Sequence, residues 1–441
     1  MRARGYSPLL FCFTGFFWLA LASILGLAIF IGLVRGTPLP SWVRTLHVHA
    51  VLIGGVAQLI LGGFLLLVAP PQPKDRTESD SYPFTCWALN GGLIGMLVGF
   101  WLRHDLAVGI AGLVVITAFL SLIHRVWLRG RSVWSSSFGR PWYHTIIFFS
   151  LVGGSACGEL LAFGIIPESY GYVRLAHIHL VVIGFAVFAL IGMMHHILPI
   201  VWNNQITSPN VEQVGTILLP IGVVLLIGGF LASSVPVEIV AGAMLLAAVG
   251  LLVGNLFRTW LSSSHIGSAA SDHLLVSAIF LLFTILLGIL VGANHLSSPP
   301  ALPYGTLHLV AYTHMAFVGF IVNAIMGAFS YLIPLALAAG RVAGHKKRLL
   351  YCDQLTSIMN RWRSVQITTL SLGTMGLAVL AALTWNVPLS SIYIHIAMWT
   401  SLAFLLTSFV LFSIKLTTIV ATQPEHLAAQ HAPSDETTRI G

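Results

Sequence analysis

The sequence predicts an all-α integral membrane protein of twelve transmembrane helices, and three observations carry that reading. Of 441 residues, 57% are hydrophobic and only 8% are charged, a balance foreign to soluble domains. Apolar runs of about 20 residues, the length that crosses a bilayer, recur between polar or Gly/Pro breaks. With twelve spans, Arg35, Arg44, Arg103 and Arg174 fall on one face, and the other seventeen of the 21 Lys and Arg fall on the face of the termini. Adding or losing one span would scramble that asymmetry. By the positive-inside rule both termini are cytoplasmic.

The first run, 8–34, holds 27 residues with no small-residue cleavage site in a polar flank, so it reads as a retained span rather than a signal peptide. The others fall near 45–69, 84–102, 105–128, 142–166, 174–201, 213–232, 236–260, 271–293, 305–335, 365–385 and 390–418. Together they make one membrane domain over 1–422, with 423–441 expected as a disordered cytoplasmic tail and no separate soluble domain. The net charge of +8 is a consequence of topology. The RxRS and HKKR stretches read as loop anchors beside membrane lipid, not as a nucleic-acid surface. Cys12, Cys86, Cys157 and Cys352 stand apart with no CxxC or CxxCH, so neither structural zinc nor covalently attached heme is indicated.

Internal repetition is the most informative feature. LHVHAVLIGGVAQLILGGFLLLVAP (46–70), LAHIHLVVIGFAVFALIGMMHHILP (175–199) and VAYTHMAFVGFIVNAIMGAFSYLIP (310–334) align on His49, His179 and His314. All three share a glycine five residues on (Gly54, Gly184, Gly319) and another thirteen on (Gly62, Gly192, Gly327), before Pro70, Pro199 and Pro334. These are spans 2, 6 and 10. Three quasi-equivalent four-helix arcs in a threefold pseudo-symmetric bundle would bring them around a common centre, with their histidines at one depth in the outer part of the membrane. Histidine is costly in a bilayer, and a registered set on three helices reads as functional. The shared small residues let helices, or a flat macrocycle, approach closely.

At these residues the sequence resembles the catalytic subunit I of the heme-copper oxidase superfamily, which includes oxygen reductases and bacterial nitric oxide reductases. The family's second-span pattern of His, GGF and a helix-ending Pro is matched by His47, Gly62, Gly63, Phe64 and Pro70. Its tenth-span HxH pattern is matched by Tyr312, Thr313, His314, Gly327, Phe329, Tyr331 and Pro334. The resemblance covers the whole chain in span number, its specific motifs only spans 2 and 10, and span 6 weakly. It implies that His47 and His314 are the axial ligands of a low-spin heme b. Two neutral imidazoles at matching depth on facing helices can close both axial positions of a heme. It further implies an oxidoreductase in a bacterial-type inner membrane, served by cytochrome c, quinol or partner redox subunits and acting on oxygen or nitric oxide as a small gas ligand.

The departures bear on the reaction. Where the family holds its high-spin heme with histidine, this chain has Tyr312, readable as a phenolate ligand or as a hydrogen-bonding structural tyrosine. Span 7 lacks the family's copper-binding His pair. The pair His195–His196 lies 18 residues below His177, on the order of 27 Å along a helix. A rebuilt centre could draw on His177, His179 and His395 for copper, or on His49, Tyr312 and His308 for a second heme pocket. The histidine pattern is also similar in style to that of NnrS, a twelve-span protein of nitric oxide stress. Residues two apart on a helix point about 200° apart, so His47 and His49 would serve opposite sides of one span, and His177 and His179 likewise. Glu159, the only acid well inside a span, is read either as a proton relay or as a packed, hydrogen-bonded side chain. His144 and His273 are expected near the membrane interface. Three functions follow in order of preference: a heme-bearing respiratory-type oxidoreductase, a noncatalytic heme- or copper-binding protein for electron transfer or nitric oxide tolerance, and a transporter.

Overall fold

A computed structural model describes residues 7–68, 82–134, 141–264, 267–297, 299 and 305–424. Pro70 and the expected tail from 425 lie outside them. The described chain is built of α1 (Ser7–Val34), α2 (Ser41–Val68), α3 (Tyr82–Leu102), α4 (Asp105–Trp134), α5 (Pro141–Ala162), α6 (Pro167–Trp202) and α7 (Pro209–Leu231). There follow α8 (Val235–Ser262), α9 (Ala269–Asn294), α10 (His308–Arg341), α11 (His345–Asn360), α12 (Arg363–Leu383) and α13 (Ile392–Ala421). Twelve of these are long and apolar enough to cross a membrane, all but the polar α11. Helices suit such a chain because they satisfy every backbone group within the segment.

The three spans that carry the repeat, α2, α6 and α10, are the inner ones. In their most apolar windows α2, α6 and α10 are 72%, 50% and 78% buried, against 28–44% for the other nine. They converge at Gly63, where an added Cβ would lie 3.1 Å from Met193 of α6 and 3.6 Å from Phe329 of α10. Between helices in lipid, close packing replaces the hydrophobic effect as the driving force, and glycine at this level lets the three backbones close.

Each inner span contains a stretch of π-helix, and the three are in register: Ala50–Ala57, Leu180–Val187 and Met315–Val322. Each begins immediately after His49, His179 or His314. Wide π turns are rare and concentrate at functional sites. The repeated glycines fall on the face toward the preceding span. A Cβ at Gly54 would strike Trp18 of α1, one at Gly184 Ser150 of α5, and one at Gly319 Phe280 of α9. Helix ends repeat as well: Arg103 after α3 and Ser233 after α7 both take φ 54°. The following amides, of His104 and Ser234, bond 2.9 Å back to Gly99 and Gly229, a Schellman-type stop.

Polar side chains join the spans. Thr14 Oγ1 donates to Gln58 Oε1 at 2.7 Å, Gln58 Nε2 donates to Asn90 Oδ1 at 3.0 Å, and Trp18 Nε1 donates to the same oxygen at 2.6 Å. A second network crosses four helices. Lys415 Nζ donates to Gln366 Oε1 at 2.6 Å, Gln366 Nε2 donates to His273 Nε2 at 2.9 Å, and His273 Nδ1 bonds Asn323 Oδ1. His144 and His273, expected near the interface, are both fully buried. At the end of α13, Arg341 donates to the carbonyls of Thr422 (2.7 Å) and Val420 (2.8 Å). A cation there complements the helix dipole.

Candidate functional site

Five histidines line the same end of the three inner spans, and all five hold the same hydrogen bond. Nδ1 of His47 lies 2.9 Å from the Ala22 carbonyl of α1, and Nδ1 of His177 lies 2.7 Å from the Gly154 carbonyl of α5. Nδ1 of His49, His179 and His314 lies 2.9, 2.8 and 2.8 Å from the carbonyls of Thr45, Leu175 and Val310, each four residues back. A carbonyl can only accept, so in each ring Nδ1 carries the proton and Nε2 keeps its lone pair. All five rings are half-buried, and no Nε2 among them bonds a described residue or counts among the buried unpartnered atoms. An imidazole anchored through Nδ1–H with Nε2 open can ligate a metal through Nε2. The donor set therefore fits heme iron.

The residue three positions before the start of each π stretch forms a wedge against the preceding helix. A Cβ at Gly26 would lie 2.7 Å from His47 Cε1, one at Gly158 3.0 Å from His177 Cε1, and one at Gly288 3.0 Å from Tyr312 Oη. Tyr312 thus occupies the place of His47 and His177. His314 matches His49 and His179 instead, as the last α-helical residue before its π stretch. The two classes meet between spans: the imidazoles of His47 and His314 are within electrostatic reach of each other, and so are those of His49 and His177.

No family model matches this chain, and no curated protein does.

Within the set, His179 packs on Phe230 of α7 with ring centres 4.5 Å apart, and His49 packs on Phe100 of α3 at 4.6 Å. The remaining candidates lie apart. His395 sits in the first turn of α13, its amide bonded to Ser391. Among the described residues no three His, Cys, Asp or Glu side chains converge on one point. His308 stacks on Trp385 at 4.9 Å and accepts from the Gly305 amide at 3.1 Å, a role in starting α10. Glu159 faces Gly112 of α4, with Oε2 buried and without a hydrogen-bond partner among the described residues. His195 bonds Ile191 within its own helix and borders a small cavity with Val249 of α8 and Ala278 of α9.

Sequence reasoning missed the network of Lys415, Gln366, His273 and Asn323. A lysine near a span's end resembles an interfacial anchor, and only the packed structure shows it 3% exposed. A usable signal was present in Gln58 and Asn323, polar residues nine positions after His49 and His314 inside otherwise apolar runs.

Proposed function

We propose that this chain is a heme-binding membrane oxidoreductase subunit that passes electrons through a bis-His heme b held by His47 and His314. Its twelve spans are read as three quasi-equivalent four-helix units around α2, α6 and α10. The observation that carries the proposal is the shared hydrogen bond, which leaves Nε2 of both imidazoles free to ligate while the two rings are within electrostatic reach of each other. A heme b held by His47 and His314 would supply reversible one-electron transfer. The chain's own part is to hold the two rings, fix their tautomer and surround them with apolar helices. With the basic residues inside, the termini face the cytoplasm of a bacterial-type inner membrane and the histidines lie toward its outer face. A cytochrome c, a quinol or a partner redox subunit would deliver electrons there.

The proposal extends to a second redox centre, and reduction of oxygen or nitric oxide there requires an open coordination position. A second reading, electron transfer or nitric oxide tolerance without turnover, is favoured by Tyr312 standing where the resembled family places its high-spin heme ligand. The test is the absorption spectrum of purified protein, oxidised and dithionite-reduced, with and without carbon monoxide. Sharp reduced heme b bands that disappear in both His47→Ala and His314→Ala support the ligand pair. A carbon monoxide shift assigns gas chemistry, and a spectrum blind to it assigns electron transfer. Bands unchanged in either variant would refute the assignment.

A further inference from the structure

We propose that a second heme b binds between His49 of α2 and His177 of α6, so that one chain holds two bis-His hemes. The inference rests on the reading that these imidazoles carry heme, and adds a site to it. In the first pair, His47 lies three residues before the start of a π stretch and its partner His314 immediately precedes the π stretch of another unit. His177 and His49 stand in that same relation one unit further round, and they too are electrostatic neighbours. Both offer the same donor: His177 Nδ1 is 2.7 Å from Gly154 O and His49 Nδ1 is 2.9 Å from Thr45 O. The glycine that admits His47 against α1, Gly26, has its counterpart in Gly158, which admits His177 against α5.

An independent feature points to the same ligand. Heme carries two propionates, and its anionic edge calls for a cation at the polar mouth of the cleft. Arg44 lies three residues before His47 in RTLH, and Arg174 three residues before His177 in RLAH. Both are exposed at the end of the bundle that carries the histidines, and Arg174 is within electrostatic reach of His177. That end is the face with only four basic residues, so two at one repeated position are not explained by topology. In the third repeat, LVAY, arginine and histidine are lost together, replaced by Leu309 and Tyr312. The geometry therefore assigns two sites and not three, with His47 and His49 on opposite sides of α2 serving one heme each.

The test uses the full chain purified in detergent after expression with added hemin, read by pyridine hemochrome against protein and by low-temperature electron paramagnetic resonance. The wild type is expected to hold two hemes per chain and to show two low-spin signals. His49→Ala and His177→Ala should each fall to one heme and lose the same signal, His47→Ala and His314→Ala should each lose the other, and His179→Ala should keep both. Arg174→Gln should lower retention of the His49/His177 heme on dilution while leaving its low-spin signal in place. One heme in the wild type, retained in His49→Ala and His177→Ala, would overturn the second site and leave the first standing. Loss of different signals in His49→Ala and His177→Ala would overturn the pairing, and no heme at all would overturn both readings. Where a variant does not remain monodisperse, the wild-type count decides.

Discussion

Replacing Gly26 by alanine moves a proposed ligand without deleting it. The new methyl carbon would lie 2.7 Å from His47 Cε1, whereas carbon atoms rest about 3.5–4.0 Å apart. The ring must therefore retreat by about 1 Å, because the methyl is fixed to the α1 backbone. Its Nδ1 bond to Ala22, 2.9 Å long, is then stretched beyond hydrogen-bonding range, which costs about 1 kcal/mol. Alanine returns about 0.8–1.0 kcal/mol of helix propensity to α1. Stability should therefore stay within about 1 kcal/mol of the wild type, while an axial ligand displaced by about 1 Å no longer holds its geometry. The assay pairs thermal unfolding in detergent with heme content and the reduced-minus-oxidised spectrum. The expected result is an unchanged midpoint with the His47/His314 signal lost. Gly288→Ala, which pushes on Tyr312 in the same way, should leave that signal intact. A Gly26→Ala protein with wild-type heme content and spectrum would refute the claim that the Gly26 wedge positions His47 for iron.

Other consequences are testable through the fold. Gln366→Leu strands both the Lys415 ammonium and the second nitrogen of His273 in the bundle interior and should cost about 2–4 kcal/mol, seen as a lowered unfolding midpoint; a change below about 0.5 kcal/mol would mean that the network is not structural. Arg341→Ala removes the bonds to Val420 and Thr422 and should loosen the end of α13 by about 2 kcal/mol, read as faster amide exchange there. Burial pushes the Cys352 thiol of α11 up, with the Asp353 charge adding to it against a Thr356 hydrogen bond. Because the folded state holds that proton more tightly, its contribution to stability is present at neutral pH and lost as pH rises from about 8.5 through the folded value. Maleimide should accordingly label Cys352 more slowly than a free peptide thiol at pH 8, and equal rates would refute the shift.

Hydropathy and charge made the spans legible because the bilayer demands a fixed length of apolar helix whatever the neighbours are. The run read as 213–232 is Pro209–Leu231, and that read as 390–418 is Ile392–Ala421. The shared glycines were legible as close contacts, and each does face the preceding helix. What hydropathy could not register was α11, whose composition is polar, or the π stretches, whose residues Leu180–Val187 are as apolar as any α-helical span. Nor does spacing along one helix name a partner on another. It placed His177 with His179 and His395, whereas no three such side chains converge among the described residues and His177 is within electrostatic reach of His49. Arginine three residues before His47 and His177, absent before Tyr312, was the sequence signal for that difference.

The same construction holds each histidine-bearing segment at both ends. At the start, His47 bonds α1 and His177 bonds α5, while Tyr312 lies against Gly288 of α9. Nine residues after each of His49, His179 and His314, where the π stretch returns to α-helix, a second bond fastens the segment to the same neighbour. Thr14 of α1 donates to Gln58, Tyr143 of α5 to the Phe188 carbonyl at 3.0 Å, and His273 of α9 bonds Asn323. The side chains doing this differ in all three units, but the place does not. A wide π turn left to itself would relax toward α-helix and rotate the preceding imidazole; pinned on either side, it keeps its extra residue and the ring keeps its direction. The imidazoles are thus oriented by the protein itself, which is the preorganisation that the proposed bis-His site would need for its iron to exchange electrons with little rearrangement.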